Sequence, residues 1–290
     1  MGNFNIIKGA YTMVRTLLFI AIFSLSLHAS VIKFAPLPMY KSELVIKQYQ
    51  QMLDYLHEQT GLEFEFVYHA DYAQQLRAIV DQEVDIAHLG PLPYAQLLLM
   101  DESSQKPVVQ FLDSKGKATY TCSFITLKQN VDTKDLVAFE PIALTQPLST
   151  CGFLSVSQIL EKYDLDLAEL DYYYSGTHSH VVLDILLGDA KSGGVRTSEY
   201  LSYKHLGLTQ IDQSQSHPGF LLVAAASLDS EIFNKIQNLL TALDPFHDLQ
   251  DAKMMQDWGT NVKYGSIKAD ASCYEQIKQS LKKLDILEIR

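Results

Sequence analysis

From Val31 onward, hydrophobic positions alternate between strand-like and helix-like spacing. Short apolar or alternating runs are typical of strands, and apolar residues at every third or fourth position are typical of amphipathic helices. The strand-like runs are 31–35, 64–68 and 84–89, and the helical runs are 42–60, 72–80 and 94–100. Gly61 follows the longest helical run, where glycine commonly ends a helix. This β-α-β-α-β order predicts a parallel sheet with helices on both faces.

The same order of elements appears again from about residue 120. The strand-like runs are 120–127, 141–144 and 170–174, and a further strand begins at 194–195. Helical runs follow Gly152 and cover 180–187. An apolar strand at 220–226 and helical segments at 229–243, 251–258 and 271–284 complete the chain. The pattern therefore predicts two α/β units of about 100 residues each.

Two α/β units, with a chain that returns to finish the first, predict a two-lobed clamshell. We assign residues 31–118 and 222–290 to lobe 1 and residues 119–221 to lobe 2, with hinges near 117–121 and 217–222. Each lobe is expected to contain a mainly parallel sheet flanked by helices. The ligand of such a fold lies in the cleft between the lobes, at the carboxyl ends of the strands.

The charge of the chain limits its partners. Its 290 residues carry a formal net charge of −11, and 47% of them are hydrophobic and 20% charged. This composition is that of an ordinary globular protein, and the negative surface argues against nucleic acid and anionic membranes as partners. A small anionic ligand is still compatible, because backbone N–H groups close to it outweigh a distant, screened net charge.

The first thirty residues have the pattern of a secretion signal. Arg15 precedes an apolar run at 17–27, and Ala29 supplies a small residue for cleavage. The run is shorter than the roughly 20 residues that a membrane-spanning helix needs. We therefore expect residues 1–30 to be a signal peptide that is cleaved near Ala29, and the mature chain to be periplasmic. An uncleaved anchor helix is the alternative.

The three cysteines cannot all pair with one another. Cys122, Cys151 and Cys273 form an odd set, so at least one thiol remains and no disulfide framework is expected. Their spacing does not resemble that of a zinc or iron–sulfur site. We expect neither a metal ion nor a cofactor.

Three short segments place hydrogen-bonding groups at the ends of predicted strands, at 148–152, 175–180 and 88–94. The first two begin helices with Ser or Thr, and a helix start offers an oxyanion unpaired N–H groups and the positive end of the helix dipole. The third forms a Gly-Pro turn before Tyr94, whose O–H can line a cleft. Each segment also has a structural interpretation, as a capped helix, as structural histidines, or as core packing of Tyr94.

Five motifs in order along residues 31–285 resemble those of the phosphonate/phosphate/phosphite-type periplasmic binding proteins of ABC importers. They are a first strand that ends at Pro36; Tyr55-Leu56 with Thr60-Gly61; Val84-Asp85-Ile86-Ala87 with Leu89-Gly90-Pro91 and Tyr94; Ser149-Thr150-Cys151-Gly152; and Gly176-Thr177-His178. The resemblance implies a type II periplasmic-binding-protein clamshell of the α/β class. It also implies that the ligand is a small oxyanion.

The resemblance further implies which residues hold the ligand. They are Ser149, Thr150, Cys151, Tyr94, His178 and, on the loop after the first strand, Tyr40. Cys151 stands where the family usually has Ser, and a thiol is a weak hydrogen-bond donor. Lys191 stands thirteen residues after His178, where many members carry an acid that can pair with a ligand's ammonium group. This departure argues for a ligand without an amine.

The sequence thus predicts a monomeric solute-binding protein that captures a small phosphorus oxyanion for an ABC permease and has no catalytic activity. Phosphate, phosphite and phosphonates share one tetrahedral core, and the sequence does not choose among them. One alternative is a periplasmic sensor that presents its ligand to a signalling receptor. A second alternative is an enzyme with Cys151 as nucleophile and His178 or His180 as base.

Overall fold

The structure is a computed structural model that describes residues 31–38, 42–127 and 140–283. The predicted signal peptide, 1–30, and the candidate ligand residue Tyr40 lie outside these ranges. Within the described residues, no helix combines the length and the hydropathy that crossing a membrane requires.

Thirteen strands and nine α-helices make up the described part of the chain. The strands are β1 (Val31–Ala35), β2 (Glu63–Phe66), β3 (Ile86–Leu89), β4 (Gln105–Phe111), β5 (Thr119–Tyr120), β6 (Cys122–Thr126), β7 (Ile142–Leu144), β8 (Tyr172–Tyr174), β9 (Ser192–Arg196), β10 (Thr209–Gln213), β11 (His217–Pro218), β12 (Leu221–Ala225) and β13 (Ser266–Lys268). The helices are α1 (Ser42–Thr60), α2 (Tyr72–Val80), α3 (Pro91–Asp101), α4 (Ser155–Glu161), α5 (His178–Leu187), α6 (Thr197–Tyr203), α7 (Ser230–Ala242), α8 (Leu249–Met255) and α9 (Glu275–Lys283).

Two mixed sheets organise the molecule. The first has the strand order β13-β4-β12-β3-β1-β2, and the second has the order β10-β6-β9-β7-β8. We call the part built on the six-stranded sheet lobe 1 and the part built on the five-stranded sheet lobe 2. In lobe 1, β1 runs parallel to β2 and β3, whereas β12 is antiparallel to β3 and β4. In lobe 2, β7 runs parallel to β8 and β9, whereas β6 is antiparallel to β9 and β10.

The predicted α/β fold class is confirmed, and the sheets are mixed rather than mainly parallel. The chain's path between the lobes explains this difference. Strands β1 to β4 run in one direction, and β12 brings the chain back from lobe 2 into the middle of that sheet. A strand that returns from the other lobe has to be antiparallel to the strands that lead toward it. Strand β6 is reversed in lobe 2 for the same reason, because it carries the chain in.

A two-stranded ribbon lies where the chain passes between the sheets. Strand β5 pairs antiparallel with β11, and Tyr120 lies opposite His217. Both strands fall within the segments where the sequence predicted the crossovers. The ribbon is short, and its two strands are the segments through which the chain passes between the lobes. Two such connecting segments are the usual arrangement of a hinge.

Helices cover both faces of each sheet, as the pattern of apolar positions predicted. In lobe 1, one core cluster packs α2, α3 and α9 against the sheet, and a second packs α1 and α7 against the other face. In lobe 2, α4 covers one face, and α5 and α6 cover the other. Since both faces of each sheet are buried, the carboxyl ends of the strands remain as the place for a ligand.

Candidate functional site

The carboxyl end of β7 leads into a helix whose first turn has backbone N–H groups without a partner inside the helix. After Ser149 the chain forms a π-helical turn, Thr150–Leu154, that continues as α4. The Ser149 Oγ accepts a hydrogen bond from the Gly152 N–H at 3.0 Å, and the Ser149 carbonyl accepts from Phe153 and Leu154. The hydrogen bonds within the helix therefore do not use the N–H groups of Thr150 and Cys151. These two groups lie at the helix start, where the helix dipole is positive. We call residues 149–152 the helix start.

Glycines let the helix start lie directly on the strands beneath it. A Cβ at Gly152 would overlap the Thr145 Oγ1 and lie 2.5 Å from the Thr145 backbone nitrogen. A Cβ at Gly194 of β9 would lie 2.6 Å from the Cys151 carbonyl oxygen. These approaches are closer than any real side chain allows, so only glycine fits at either position.

Cys151 is joined to Cys122 by a disulfide, with 5.1 Å between their Cα atoms. The side chain of Cys151 therefore has no thiol, neither to donate a hydrogen bond nor to act as a nucleophile. The prediction that Cys151 binds the ligand is therefore corrected for its side chain, and for its backbone N–H it stays a prediction. The alternative of a Cys151-dependent enzyme loses its nucleophile.

Thr150 connects the two lobes at the site. Its Oγ1 accepts a hydrogen bond from the backbone N–H of Leu92, at the start of α3 in lobe 1, at 3.0 Å. Gln146 makes a similar bridge, because its Nε2 donates to the carbonyl oxygens of Pro38 and Gly176, each at 3.2 Å. The lobes are thus in contact around the site, as expected for a closed clamshell.

His178 is the first residue of α5 and faces the helix start across the site. Thr177 caps this helix by accepting a hydrogen bond from the His180 N–H at 3.2 Å. The His178 Nδ1 is buried and has no hydrogen-bond partner among the described residues. Burial, and secondarily the charge of Arg196, lower the pKa of His178 to about 3. The imidazole is therefore neutral in the absence of a ligand.

Arg196, at the carboxyl end of β9, supplies the positive charge of the site. Its guanidinium lies 4.5 Å from the ring centroid of Phe220 and 5.6 Å from that of Tyr120. One nitrogen, Nη1, donates to the Asn261 Oδ1 at 3.1 Å. The Nε is buried and has no partner within the described chain. The sequence analysis missed Arg196, because it predicted that a strand begins at 194–195 and did not predict that this strand ends at Arg196.

These residues surround a small cavity between the lobes that is partly open to solvent, with a volume of about 20 Å³, enough for about one water molecule. Its polar lining includes Ser149, Thr150, His178 and Arg196, and its aromatic walls are Tyr72, Tyr120 and Phe220. Burial, the dominant effect, raises the pKa of Tyr120 to about 12, so its phenol keeps its proton. None of the described lining residues carries a carboxyl group. The arrangement suits an anion, because the cavity pairs a fixed cation and N–H groups with a low-dielectric wall.

The structure does not bring Tyr94 into this cavity. Its side chain is fully buried, its ring packs edge-on against Tyr274 with 4.8 Å between centroids, and its hydroxyl accepts from the Gln105 Nε2 at 3.5 Å. The reason is helical geometry. Gly90 and Pro93 line the cavity, and Tyr94, the next position of α3, points toward Tyr274, the residue just before α9. The prediction that Tyr94 binds the ligand is therefore corrected to a role in the core.

Lys191 also lies away from the cavity. It is exposed and immediately precedes β9, whereas the cavity lies at the far end of that strand, at Arg196. Five strand residues span roughly 16 Å. The side chain at position 191 is thus too distant to select for or against a ligand amine, and that part of the sequence argument is corrected.

The buried His88 and His217 and the partly buried His178 make the stability of the unliganded protein depend on pH. Burial, the dominant effect, lowers the pKa of His88 and His178 to about 3 and that of His217 to about 4. In the unfolded chain, histidine titrates near pH 6.5. Between these limits the unfolded chain binds more protons, so the free energy of unfolding falls as the pH decreases, by about 1.4 kcal/mol per pH unit for each histidine.

Urea unfolding at pH 7, 6 and 5 measures this dependence. We expect the free energy of unfolding of the His217→Gln variant to change less steeply with pH, by the equivalent of about one bound proton. The exposed His205 provides the matched control, and His205→Gln should leave the slope unchanged. Equal slopes for wild type and His217→Gln would show that His217 is not buried in the neutral form.

A two-lobed α/β fold with a cavity between the lobes that suits an anion defines a substrate-binding protein of the periplasmic type. The sequence model of one protein family matches residues 34–274, and that family is described as ABC transporter, phosphonate, periplasmic substrate-binding protein. The chain belongs to this family. The family resemblance inferred from the motifs is confirmed, and the family consists of binding components, not enzymes.

Individual relatives agree with this assignment. The phosphate-import protein PhnD of Mycolicibacterium smegmatis is 25% identical over 202 residues, which cover 66% of this chain and 60% of that protein. The match thus spans about 60% of the length of this curated relative.

Solved structures confirm the two-lobed fold class. PhnD1 from Prochlorococcus marinus in complex with methylphosphonate has a TM-score of 0.75 at 16% identity, covering 89% of this chain and 99% of that one. A binding protein component of an ABC phosphonate transporter from Pseudomonas aeruginosa has a TM-score of 0.71 at 19% identity, covering 87% and 85%. At these identities the likeness concerns the fold.

Proposed function

We propose that this chain captures a small phosphorus oxyanion in the cavity between its lobes and delivers it to an ABC permease. The observation that carries the proposal is a pair of unpartnered buried atoms, the His178 Nδ1 and the Arg196 Nε, on two residues that line one cavity. Buried polar atoms are nearly always hydrogen-bonded, so both atoms are available to bind an oxyanion, which the cavity admits when the lobes open. The phosphonate-transport family and the PhnD relatives support a phosphorus oxyanion.

The oxyanion is held by donors that come from three sides. The N–H groups of Thr150 and Cys151, with the Ser149 hydroxyl, form one side of the shell. Arg196 forms the second side with a charge-assisted hydrogen bond, which is about twice as strong as a neutral one. His178 completes the shell from the start of α5. An anion next to His178 raises its pKa, so the imidazole can bind with its Nδ1 protonated.

Ligand binding and lobe closure are coupled. Arg196 belongs to lobe 2, but it contacts Phe220 and Asn261, which precede and follow strand β12 of lobe 1. An oxyanion bound to Arg196 therefore stabilises the arrangement in which these interlobe contacts are made. A ligand favours the conformation to which it binds more tightly, and here that is the closed one. The β5–β11 ribbon is the proposed hinge.

The cavity favours ligands without an amine. A ligand ammonium group would lie near the Arg196 guanidinium, and no carboxylate among the described lining residues is available to pair with it. Leaving a charge desolvated and unpaired costs several kcal/mol. Phosphate, phosphite and methylphosphonate are the expected class, and 2-aminoethylphosphonate is expected to bind more weakly.

The proposed setting is the periplasm. The Cys122–Cys151 disulfide supports an oxidising compartment, since disulfides persist outside the reducing cytosol. The signal peptide, cleaved near Ala29, and a monomeric state belong to the same proposal. The predicted alternative of a sensor partner has no specific support in the described part of the structure.

A thermal-shift panel tests the proposal. At 100 times its dissociation constant, a ligand stabilises by about 2.7 kcal/mol, which raises the unfolding midpoint by roughly 5–10 °C. We expect such a rise with phosphate, phosphite or methylphosphonate, and a smaller one with 2-aminoethylphosphonate. Sulfate and acetate at equal ionic strength control for general salt effects. An unchanged midpoint with all three phosphorus oxyanions would refute the proposed function, and a larger rise with the aminophosphonate would refute the amine selectivity alone.

A further inference from the structure

The disulfide links the helix start to β6, the strand that pairs with the strand bearing Arg196. Cys151 is part of the helix start, and its partner Cys122 is the first residue of β6. Strand β6 pairs with β9, and in that register Cys122 lies directly opposite Arg196. One covalent bond and one pair of neighbouring strand residues thus connect the helix start to the residue that bears the cation.

Cys122 is itself held firmly on the hinge side. Its backbone N–H donates to the Ser214 Oγ at 2.9 Å, and its carbonyl accepts from the Ser214 N–H at 2.9 Å. Its side chain is fully buried. Tyr120, two residues earlier, belongs to the β5–β11 ribbon and lines the cavity. Cys122 is therefore a fixed point from which the disulfide can position the helix start.

The fold does not depend on this bond for its core. The helix start also rests on the strands through Gly152 and Gly194, and α4 packs on the sheet through Val156, Ile159 and Leu160. Without the disulfide, these contacts keep the helix on the sheet. The bond adds a constraint on where the first turn lies relative to Arg196, and binding geometries tolerate errors of only about 0.5 Å.

We propose that the Cys122–Cys151 disulfide is a positioning element for oxyanion binding, so that only the oxidised chain binds tightly. The proposal rests on the function proposed above. Reduction by a dithiol breaks the S–S bond, forms two protein thiols and leaves the reductant as a cyclic disulfide. The chain would therefore be a weak binder before export and become competent when the bond forms.

The double variant Cys122→Ser/Cys151→Ser tests the proposal, with methylphosphonate titrated by calorimetry at a temperature far below the unfolding midpoint. We expect a folded protein whose dissociation constant is raised roughly tenfold, within the range typical of coupling between two sites. Cys273→Ser, which replaces the exposed free cysteine, is the matched control and should bind like wild type. A lowered unfolding midpoint with an unchanged dissociation constant would overturn the proposal, because that is the signature of a purely stabilising disulfide.

A second measurement uses the wild type and does not depend on the variant's folding. If oxidation strengthens oxyanion binding by some factor, a bound oxyanion must shift the equilibrium of the disulfide toward its oxidised form by the same factor. We expect saturating methylphosphonate to raise the ratio of reduced to oxidised dithiothreitol at half reduction by roughly tenfold. An unchanged ratio would overturn the proposal. Failure of the oxidised wild type to bind any phosphorus oxyanion would instead overturn the proposed function.

Discussion

Replacing Arg196 with glutamine is expected to weaken binding of the phosphorus oxyanion by about a hundredfold. The guanidinium is the one permanent cation among the described residues that line the cavity, and its Nε is buried without a partner. Removing one partner of a buried charge pair costs about 2–5 kcal/mol, and 2.7 kcal/mol corresponds to a hundredfold. Calorimetric titration of wild type and variant measures the difference.

Two further variants separate the effect of the Arg196 charge on oxyanion affinity from the effect of the protein's net charge. Lys204→Gln removes the same charge from an exposed residue of lobe 2 and should leave the dissociation constant unchanged. Arg196→Lys keeps the charge but loses the planar, multi-donor geometry of the guanidinium, so it should bind with intermediate affinity. Equal affinities of wild type and Arg196→Gln would exclude Arg196 from the binding site.

Adding a single methyl group at Gly152 is expected to destabilise the protein by about 1–3 kcal/mol or more. In Gly152→Ala the new Cβ would overlap the Thr145 side chain and press on its backbone nitrogen. The clash can be relieved only by moving the helix start off β7 and β9. Urea unfolding measures the loss of stability, and the same displacement should weaken oxyanion binding.

Glu161→Ala is the control for this variant, because Glu161 is exposed at the other end of α4. It should leave both stability and affinity close to those of the wild type. If Gly152→Ala unfolds at the wild-type urea concentration, the helix start does not rest on Thr145 as described.

Local signals in the sequence predicted much of the fold and the two helix starts that lie at the cavity. Apolar periodicity located most strands and helices, because burial of one face repeats at every turn or every second residue. Ser149 and Thr177 marked two helix starts, since their side chains cap N–H groups within three residues. The family resemblance, and not the caps alone, predicted Ser149, Thr150 and His178 as ligand residues, and the structure places all three at one cavity.

The remaining features depend on contacts between distant parts of the chain. The rotation of α3 that buries Tyr94 is decided by its packing on Tyr274, 180 residues away in the sequence. The pairing of Cys122 with Cys151 follows from the position of β6 beside β9, which an odd cysteine count does not reveal. Arg196 becomes a site residue only because Phe220 and Asn261 close over it.

A crystal structure of the protein with methylphosphonate tests the central claim most directly. The account predicts the phosphonate in the cavity, with its oxygens about 2.7–3.2 Å from the Arg196 Nε, the His178 Nδ1 and the N–H groups of the helix start. A cavity that stays free of phosphonate at saturating concentration would contradict it. So would a phosphonate bound instead in the polar groove between α4 and α9, beside Gln158 and Gln276.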